Sequence, residues 1–297
     1  MPTSVRPRRS VLYVPGDNAR ALDKARGLAA DTFIFDLEDG VAPAHKEGAR
    51  KQVLQALAKG GYGRREKIVR VNALDTEWGR DDLVAVAKSG VDGVLLPKVE
   101  SAKGVHEAEA ILDKAGAPKP LAVWCMVETP RGVLRAEAIA NASARVGCLV
   151  AGTSDLAADL HADPADDRVA LIPALAQIVL AARAADLACL DGVFLDLEDG
   201  KGFERECRQG ALLGFDGKTL IHPKTIDTAN RLFAPSEAAI ERARRVVAAH
   251  GEALSAGKSL VLLDGKLVEQ LHVSAAERML DLAGQIALLI EEAGFST

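Results

Sequence analysis

The chain has 297 residues, of which 48% are hydrophobic and only 4% aromatic, and it carries a formal net charge of −5. This acidic balance with scattered basic residues excludes the electrostatic footprint of a nucleic-acid-binding protein. No apolar run approaches the ~20 residues of a membrane span. The basic cluster Arg6 to Arg9 lacks the apolar stretch of a signal peptide, and the four cysteines are spaced singly. We therefore expect a cytoplasmic protein with reduced thiols.

Short apolar runs alternate with longer amphipathic stretches over most of the chain. The runs predicted as strands are 10–16, 32–39, 67–73, 93–99, 121–128, 146–153, 192–196 and 218–222. The stretches between them with apolar residues at helical spacing include 18–29, 44–58, 101–115 and 165–185. Eight strands, each followed by a helix, predict an α/β fold of the (β/α)8 TIM-barrel type. A doubly wound open sheet is the alternative, but no Gly-x-Gly-x-x-Gly turn follows the first strand.

The alternation of strands and helices ends after Phe233. A charged helix is predicted from Glu237 to about Ala256, a hairpin over 259–268 around Asp264-Gly265, and a final helix over 274–292. This tail is too small for an independent core. We therefore predict a catalytic barrel over residues 1–233 and an extension over 234–297 that serves as a lid or oligomerisation arm.

The pentapeptide Asp-Leu-Glu-Asp-Gly occurs twice, at 36–40 and at 196–200, each time directly after an apolar run. Alternation along a strand sends Asp36 and Glu38 to the same face. Acids crowded at the end of a strand repel one another unless a cation or a proton intervenes, so the pattern indicates metal or proton chemistry. The alternative is that these acids cap the next helix or face solvent.

Polar side chains follow the predicted strands at the end where the active sites of TIM barrels lie. The set comprises Asp36, Glu38, Asp39, Arg70, Asn72, Lys98, Glu128, Asp155, Asp196 and His222. Arg70 shares a face with Ile68, and Glu128 shares one with Trp124 and Met126, so both charged residues are expected to face the barrel interior. Charged residues in such a position are rarely buried unless they are paired or bound to metal. The sequence therefore predicts a catalytic mouth at this end of the barrel.

The candidate metal ligands are carboxylates, with no cluster of His or Cys. Hard oxygen ligands favour Mg²⁺ or Mn²⁺ over Zn²⁺, and Mg²⁺ typically takes one or two carboxylates. Arg70 opposite such a metal suits an anionic or enolate-bearing substrate. The alternative for Arg70 is a salt bridge to Asp36 or Glu38. His222 is a lone imidazole, which is as often a structural hydrogen-bonding group as a functional one.

Seven motifs along the chain resemble the HpcH/HpaI aldolase and citrate lyase β-subunit family, and more closely its stand-alone malyl-CoA and citramalyl-CoA lyases. They occur in family order and lie at 12–16, 35–42, 69–72, 96–100, 127–132, 152–156 and 214–224. The resemblance covers nearly the whole chain and is specific for the superfamily. It is much less specific for the substrate.

The resemblance implies a carbon–carbon lyase of the oxo-acid-lyase type, which makes or breaks a bond between an acyl-CoA enolate and a 2-oxo acid. Glu128 and Asp155 match the family's two ligands for Mg²⁺, with Mn²⁺ as an alternative, and Glu128 also lies where substrate binds. Arg70 matches the catalytic arginine that contacts the substrate and stabilises the enolate. The acids that would hold the waters around the metal are Asp36, Glu38 and Asp39.

The tail also resembles that of the malyl-CoA and citramalyl-CoA lyases. In these enzymes a lid brings an acidic residue over a neighbouring subunit's active site, on a Gly-x-x-x-Asp pattern. Gly265 to Glu269 match the pattern with Glu for Asp, so Glu269 is expected as a catalytic acid–base group on a side chain one methylene longer. The alternative for Glu269 is a surface charge of the lid. A shared lid implies a homo-oligomer, either a trimer or a hexamer.

Several functional alternatives stay open beside the lyase. These are a malyl-CoA thioesterase, in which water attacks the thioester, a citrate lyase β subunit in a multi-subunit complex, and a scaffold with a vestigial site. A lid that closes over a neighbouring subunit argues against the citrate lyase β subunit. The intact metal ligands and Arg70 argue against the scaffold. The expected partners are CoA-thioester and 2-oxo acid substrates, with no nucleic acid and no membrane. Arg20 and Lys24 on the first helix are candidates for the CoA phosphates, although exposed basic residues are usually only solvated.

Overall fold

The computed structural model describes residues 6–163, 167–255, 257 and 260–293. The chain divides into two compact units. One is Arg8–Phe233, and the other contains the chain from Ala234 onward.

Eight parallel strands close the first unit into a barrel. Each strand pairs with the next one along the chain, and the last pairs with the first. The strands are β1 (Ser10–Pro15), β2 (Thr32–Asp36), β3 (Glu66–Arg70), β4 (Gly93–Leu96), β5 (Ala122–Val127), β6 (Val146–Ala151), β7 (Ala188–Asp191) and β8 (Gly217–Leu220). The predicted TIM barrel is thereby confirmed.

Helices cover the outside of the barrel in this unit. They are α1 (Ala19–Ala25), α2 (Lys46–Lys59), α3 (Gly79–Val86), α4 (Ala102–Lys114), α5 (Pro130–Leu134), α6 (Ala136–Ala140), α7 (Thr153–Asp159), α8 (Ile172–Ala184), α9 (Gly200–Leu213) and α10 (Ile226–Leu232). Several begin at a side chain that accepts a hydrogen bond from the first turn, as Asn18 does for α1 and Thr129 for α5. The stretch predicted over 165–185 begins as a helix only at Ile172, and residues 164–166 lie outside the described residues.

Two apolar layers follow from the alternation of side chains along the strands. Residues that point outward, such as Phe33, Phe35 and Val69, pack with the helices in the larger layer. The inner layer fills the barrel with Val11, Ile34, Ile68, Leu95, Trp124, Met126, Cys148, Val150 and Leu190. The inward faces predicted for the third and fifth strands are therefore correct.

The seventh strand was predicted over 192–196, and this is wrong. β7 ends at Asp191, and the apolar run after it is a loop in which Leu195 is 65% exposed. The cause lies on the neighbouring strand, where the buried Lys218 ammonium donates to the Gly192 carbonyl oxygen at 2.5 Å. The hydroxyl of Thr219 donates to the carbonyl of Asp191 at 3.0 Å. The carbonyl oxygens of Asp191 and Gly192 thus accept from side chains of β8. In a longer β7 they would accept from backbone N–H groups of β8.

The second unit contains the helix–hairpin–helix pattern expected from the sequence. Its elements are α11 (Glu237–Ser255), β9 (Val261–Leu263), β10 (Lys266–Val268) and α12 (Gln270–Ala293). Asp264 and Gly265 both have positive φ, at 50° and 72°, as a two-residue hairpin turn of type I′ requires. The final helix begins four residues earlier than predicted. Among the described residues of both units, no helix has the length and apolar character needed to cross a membrane.

Candidate active site

A cavity of about 340 Å³ lies at the C-terminal ends of the barrel strands. We call this end of the barrel the mouth. The charged residues that line the cavity are Asp36, Asp39, Arg70, Glu128 and Asp155. Apolar side chains, among them Met126, Val193 and Ile221, form much of the remaining wall. The structure therefore brings together most of the predicted site residues of the barrel in the place where TIM barrels carry their active sites.

Arg70, the last residue of β3, is surrounded by the acids of the first Asp-Leu-Glu-Asp-Gly copy. Its Nε and Nη2 atoms each lie 2.7 Å from an oxygen of Asp36, and its Nη1 lies 2.8 Å from Oε2 of Glu38. Asp39 is more distant, at 3.4 Å. Although burial opposes the charge, the bonds to Asp36 raise the pKa of Arg70 above its ordinary value. The salt bridge considered as the alternative for Arg70 is thus present, and its contact with substrate stays a prediction.

The first pentapeptide forms a tight loop around the carboxylate of Asp36. One oxygen accepts the backbone N–H of Glu38 at 2.9 Å, and the other accepts that of Gly40 at 2.9 Å. A Cβ atom on Gly40 would lie 2.5 Å from Oδ2 of Asp36, so only glycine fits there without a shift of the carboxylate. Asp36 therefore organises the loop and holds Arg70 at the same time. The role of these acids toward metal-associated waters stays a prediction.

Glu128 follows directly after β5 and is 2% exposed. Its Oε1 accepts the backbone N–H of Lys98 at 2.7 Å. A Cβ atom on Gly152 would lie 2.5 Å from Oε2 of Glu128, so the absence of a side chain at position 152 makes room for this carboxylate. Burial raises the pKa of Glu128 to about 7, and the neighbouring charges of Asp155 and Glu38 act in the same direction.

Asp155 lies in the first turn of α7, beside Glu128 at the mouth. Its Oδ1 is 3.3 Å from the ammonium of Lys98, the residue whose backbone N–H binds Glu128. Lys98 has a φ of 48°, an unusual value for a residue with a side chain. This left-handed conformation lets one residue contact both predicted metal ligands. The sequence pattern gave Lys98 no specific role.

The charges and atom types at the mouth fit a divalent cation. Five carboxylates, namely Asp36, Glu38, Asp39, Glu128 and Asp155, face the two cationic side chains of Arg70 and Lys98. An excess of negative charge with oxygen donors suits Mg²⁺. Within the described residues, no group of three or more His, Cys, Asp or Glu that could hold a metal ion is present. A site built on Glu128 and Asp155 would therefore need water or substrate to complete the coordination of Mg²⁺.

A buried charge cluster beside the mouth is not among the features predicted from the sequence. The Lys218 ammonium on β8 lies 3.0 Å from Asp191 Oδ2 and 2.6 Å from Glu206 Oε1, and Arg168 lies 2.8 Å from the other oxygen of Asp191. The cluster holds the loop after β7, whose Val193 lines the cavity. The signal in the sequence was a lysine inside an apolar strand, which requires an acidic partner when buried.

Three predicted residues of the mouth have structural contacts instead. Asp196 is exposed and accepts the backbone N–H groups of Glu198 and Asp199, so the second pentapeptide copy forms a turn before α9 and does not lie at a strand end. His222 is exposed, and its Nδ1 accepts the N–H of Lys224 at 3.1 Å. The amide of Asn72 donates to the carbonyl oxygen of Leu37 and to Asp82. Asp196 and His222 thus accept backbone N–H groups of the segments that follow them, and Asn72 joins the loops after β2 and β3.

Three further predicted residues, Arg20, Lys24 and Glu269, are not among those that line the cavity. Arg20 and Lys24 are exposed on α1, and no contact in the described residues connects them with a phosphate site. Glu269 lies between β10 and α12 in the second unit, where its backbone N–H donates to Nδ1 of His272 at 3.1 Å. Their roles in CoA binding and acid–base chemistry stay predictions.

A (β/α)8 barrel with a carboxylate-rich mouth is the architecture of a TIM-barrel enzyme. The chain belongs to the HpcH/HpaI aldolase/citrate lyase family, whose family model matches residues 9–223. It is 47% identical over 281 residues to a (3S)-malyl-CoA thioesterase of Cereibacter sphaeroides, covering 95% of this chain and 96% of the relative. It is 39% identical over 283 residues to the citrate lyase subunit beta of Escherichia coli, covering 94% of each chain.

Solved structures of similar proteins include CitE from Mycobacterium tuberculosis. Its complex with magnesium, acetoacetate and coenzyme A has a TM-score of 0.75 at 33% identity and covers 95% of this chain and all of that one. The citrate lyase β subunit of the same organism, complexed with oxaloacetate and magnesium, has a TM-score of 0.66 at 33% identity and covers 79% of this chain and all of that one. The family resemblance and the barrel architecture predicted from the sequence are both confirmed.

Proposed function

We propose that this protein is a Mg²⁺-dependent enzyme that hydrolyses the thioester of malyl-CoA or of a closely related hydroxy-dicarboxylic acyl-CoA. The observation that carries the proposal is the pair of carboxylates Glu128 and Asp155 at the mouth, joined through Lys98. The 47% identity to a (3S)-malyl-CoA thioesterase over nearly the full length of both chains supports the choice of substrate and outcome.

Glu128 and Asp155 are the residues that would hold the metal. Both offer hard oxygen donors, and a cation bound by them would compete with the Lys98 ammonium for Asp155. When bound, Mg²⁺ supplies Lewis-acid polarisation of a substrate carbonyl. Mn²⁺ has the same ligand preference and is expected to substitute.

The protein's own side chains hold the acids of the mouth in fixed positions and form a partly apolar wall around the cavity. Arg70 fixes Asp36 and Glu38 by direct ion pairs, so these acids keep their orientation in the absence of ligand. Burial raises the pKa of Glu38 to about 7, as it does for Glu128. A carboxyl group such as Glu38, which is not assigned to the metal, can exchange a proton at neutral pH, as the attack of water on a thioester requires. The apolar wall at Met126 and Val193 limits the water around them.

Carbon–carbon cleavage of the same substrate is the second candidate function. Relatives named citrate lyase subunit beta support it, as do the similar structures with bound acetoacetate or oxaloacetate. In this version Arg70 stabilises the enolate oxygen and Glu269, on a lid formed by residues 234–297, donates a proton in the active site of a neighbouring subunit. That role requires a homo-oligomer.

The two functions give different products from one substrate. The protein is incubated with Mg²⁺ and malyl-CoA, and with citramalyl-CoA in parallel, and the products are identified by mass. Malate and free CoA indicate the thioesterase, whereas glyoxylate and acetyl-CoA indicate the lyase. No turnover of either substrate contradicts both.

Two variants test the metal assignment in the same assay. Glu128→Gln and Asp155→Asn each remove one charged ligand and are expected to lower Mg²⁺-dependent turnover at least about 100-fold. Asp159→Asn on the exposed end of the same helix is the matched control and should keep full activity. Full activity of Glu128→Gln or Asp155→Asn would contradict the assignment of these residues as metal ligands.

A further inference from the structure

Tyr13 lies on the inner face of β1, at the edge of the cavity. Its chain neighbours Leu12 and Val14 pack outward with the helices, so alternation turns Tyr13 toward the barrel axis. There it contacts the inner apolar layer and lines the cavity together with Arg70 and Glu128. The sequence places Tyr13 in the motif at 12–16 but predicts no role for it.

The ring of Tyr13 is held in place by Arg70. The Cζ atom of Arg70 lies 4.8 Å from the ring centroid, the distance of a cation–π contact. Arg70 is itself fixed by two bonds of 2.7 Å to Asp36. The phenol is therefore anchored through a rigid ion pair, and its hydroxyl has a defined position.

The hydroxyl of Tyr13 is buried without a hydrogen-bond partner. Across the described residues, the buried side-chain atoms in this condition are Tyr13 Oη, Gln52 Oε1, Trp124 Nε1 and Arg145 Nε. Of these four residues, Tyr13 alone lines the cavity. Leaving a buried polar group unpaired is unfavourable, so an unpaired hydroxyl on a residue that lines the cavity points to a partner that arrives from outside.

The cationic side chains of the mouth already have partners. Arg70 donates to Asp36 and Glu38, and the Lys98 ammonium pairs with Asp155. Burial raises the pKa of Tyr13 above its ordinary value, so the phenol keeps its proton and stays a donor. A neutral donor next to Arg70 suits an oxygen that carries partial or full negative charge.

We propose that Tyr13 contacts the substrate, its hydroxyl donating a hydrogen bond to a carboxylate or carbonyl oxygen of the acid part of the thioester. The inference rests on the proposed function, since it takes the cavity to be the site for that acid. In this arrangement Arg70 keeps the ring and the neighbouring acids in place, and Tyr13 supplies a further donor beside it.

The test uses the fact that the chain has two tyrosines. Protein labelled with ¹³C at tyrosine Cζ gives two NMR signals, which the Tyr13→Phe variant assigns. Malate with Mg²⁺ and glyoxylate with Mg²⁺ are the probes. The Tyr13 signal should shift in a saturable way while that of Tyr62 stays unchanged. No shift of the Tyr13 signal with either acid overturns the inference.

Affinity and stability separate substrate contact from a structural role. Tyr13→Phe keeps the ring and should weaken binding of these acids about 10- to 100-fold, measured by calorimetry. Its urea midpoint should equal or exceed that of the wild type, because an unpaired buried hydroxyl is removed. Tyr62→Phe is the matched control: it breaks the 3.1 Å bond to the Leu22 carbonyl oxygen, so stability falls and acid affinity does not change.

Unchanged acid affinity in Tyr13→Phe overturns the inference while leaving the proposed function intact. If the stability of this variant also falls, the hydroxyl binds only a structural water. Failure of the proposed function is a separate result: wild-type protein would bind the acids at Tyr13 but release no malate from malyl-CoA.

Discussion

Replacing Lys218 by Met tests the idea that a buried charge cluster supports the mouth. Lys218 and Asp191 are both fully buried, with their charged groups 3.0 Å apart, and Glu206 lies 2.6 Å from the same ammonium. Methionine has a similar length, so Lys218→Met removes the charge and leaves little empty space. After the substitution Arg168 alone faces the two carboxylates.

The expected cost follows from the balance of charges in the cluster. Removing one partner of a buried ion pair leaves an uncompensated charge and costs about 3–5 kcal/mol. Arg168 still lies 2.8 Å from Asp191, so we expect a loss near the lower end, about 3 kcal/mol. For a unit of this size each kcal/mol lowers Tm by roughly 2–4 °C, which gives a decrease of about 6–12 °C.

The loss of stability should depend on pH in a defined direction. Burial opposes ionisation of Asp191, but Lys218 and Arg168 outweigh it and hold the pKa of this carboxyl below its ordinary value. A lowered folded-state pKa adds stability above the unfolded value of about 4, and this stability is lost as the pH falls through the folded value. The difference between wild type and Lys218→Met should therefore be full at neutral pH and shrink below about pH 4.

Urea unfolding followed by circular dichroism measures the effect. Lys201→Met, an exposed lysine of α9, is the matched control and should change stability by less than about 0.5 kcal/mol. The double variant Lys218→Met/Asp191→Asn restores the balance between Arg168 and Glu206, so it should be more stable than Lys218→Met alone. A loss below about 1 kcal/mol in Lys218→Met, or no recovery in the double variant, refutes the reasoning.

Three further predictions concern the mouth and the lid. Gly152→Ala places a Cβ 2.5 Å from Oε2 of Glu128 and should weaken Mg²⁺ binding at least about 10-fold by calorimetry, whereas Gly104→Ala, which has open space, should have no effect. Because the pKa of Glu128 is about 7, protons compete with the metal, so Mg²⁺ affinity should fall from pH 8 to pH 6 and binding should release protons; affinity that does not vary with pH contradicts this. Mixing Glu269→Ala with Arg70→Ala should restore activity if the lid acts on a neighbouring subunit, and activity no higher than that of the separate variants argues against sharing.

The barrel could be predicted because strand and helix periods alternate so regularly in this sequence. The error at the seventh strand has a specific cause. Gly192–Leu195 is more apolar than Ala188–Asp191, so the pattern placed the strand too late. Directly after β7, the Gly192 carbonyl oxygen accepts from the ammonium of Lys218, a residue 26 positions further along the chain. A contact of that range has no signature in a local window of sequence.

The acids of the mouth were predictable for a different reason. Asp36 ends β2, Glu128 directly follows β5, and Asp155 lies in the first turn of the helix after β6, and the barrel geometry collects these segments in one place. The left-handed backbone of Lys98 and the unpaired hydroxyl of Tyr13 depend on the final packing, so no residue pattern indicates them. The two copies of the pentapeptide illustrate the limit, since identical residues bind an arginine in one place and start a helix in the other.

The unusual backbone of Lys98 has a consequence for how this site can be altered. The main-chain N–H of the residue aims Glu128, while its side chain sets the charge next to Asp155. Glycine or asparagine tolerates the same left-handed conformation and would keep the first contact while deleting the second. Position 98 can thus set the orientation of Glu128 through its backbone conformation and, independently, the charge next to Asp155 through its side chain.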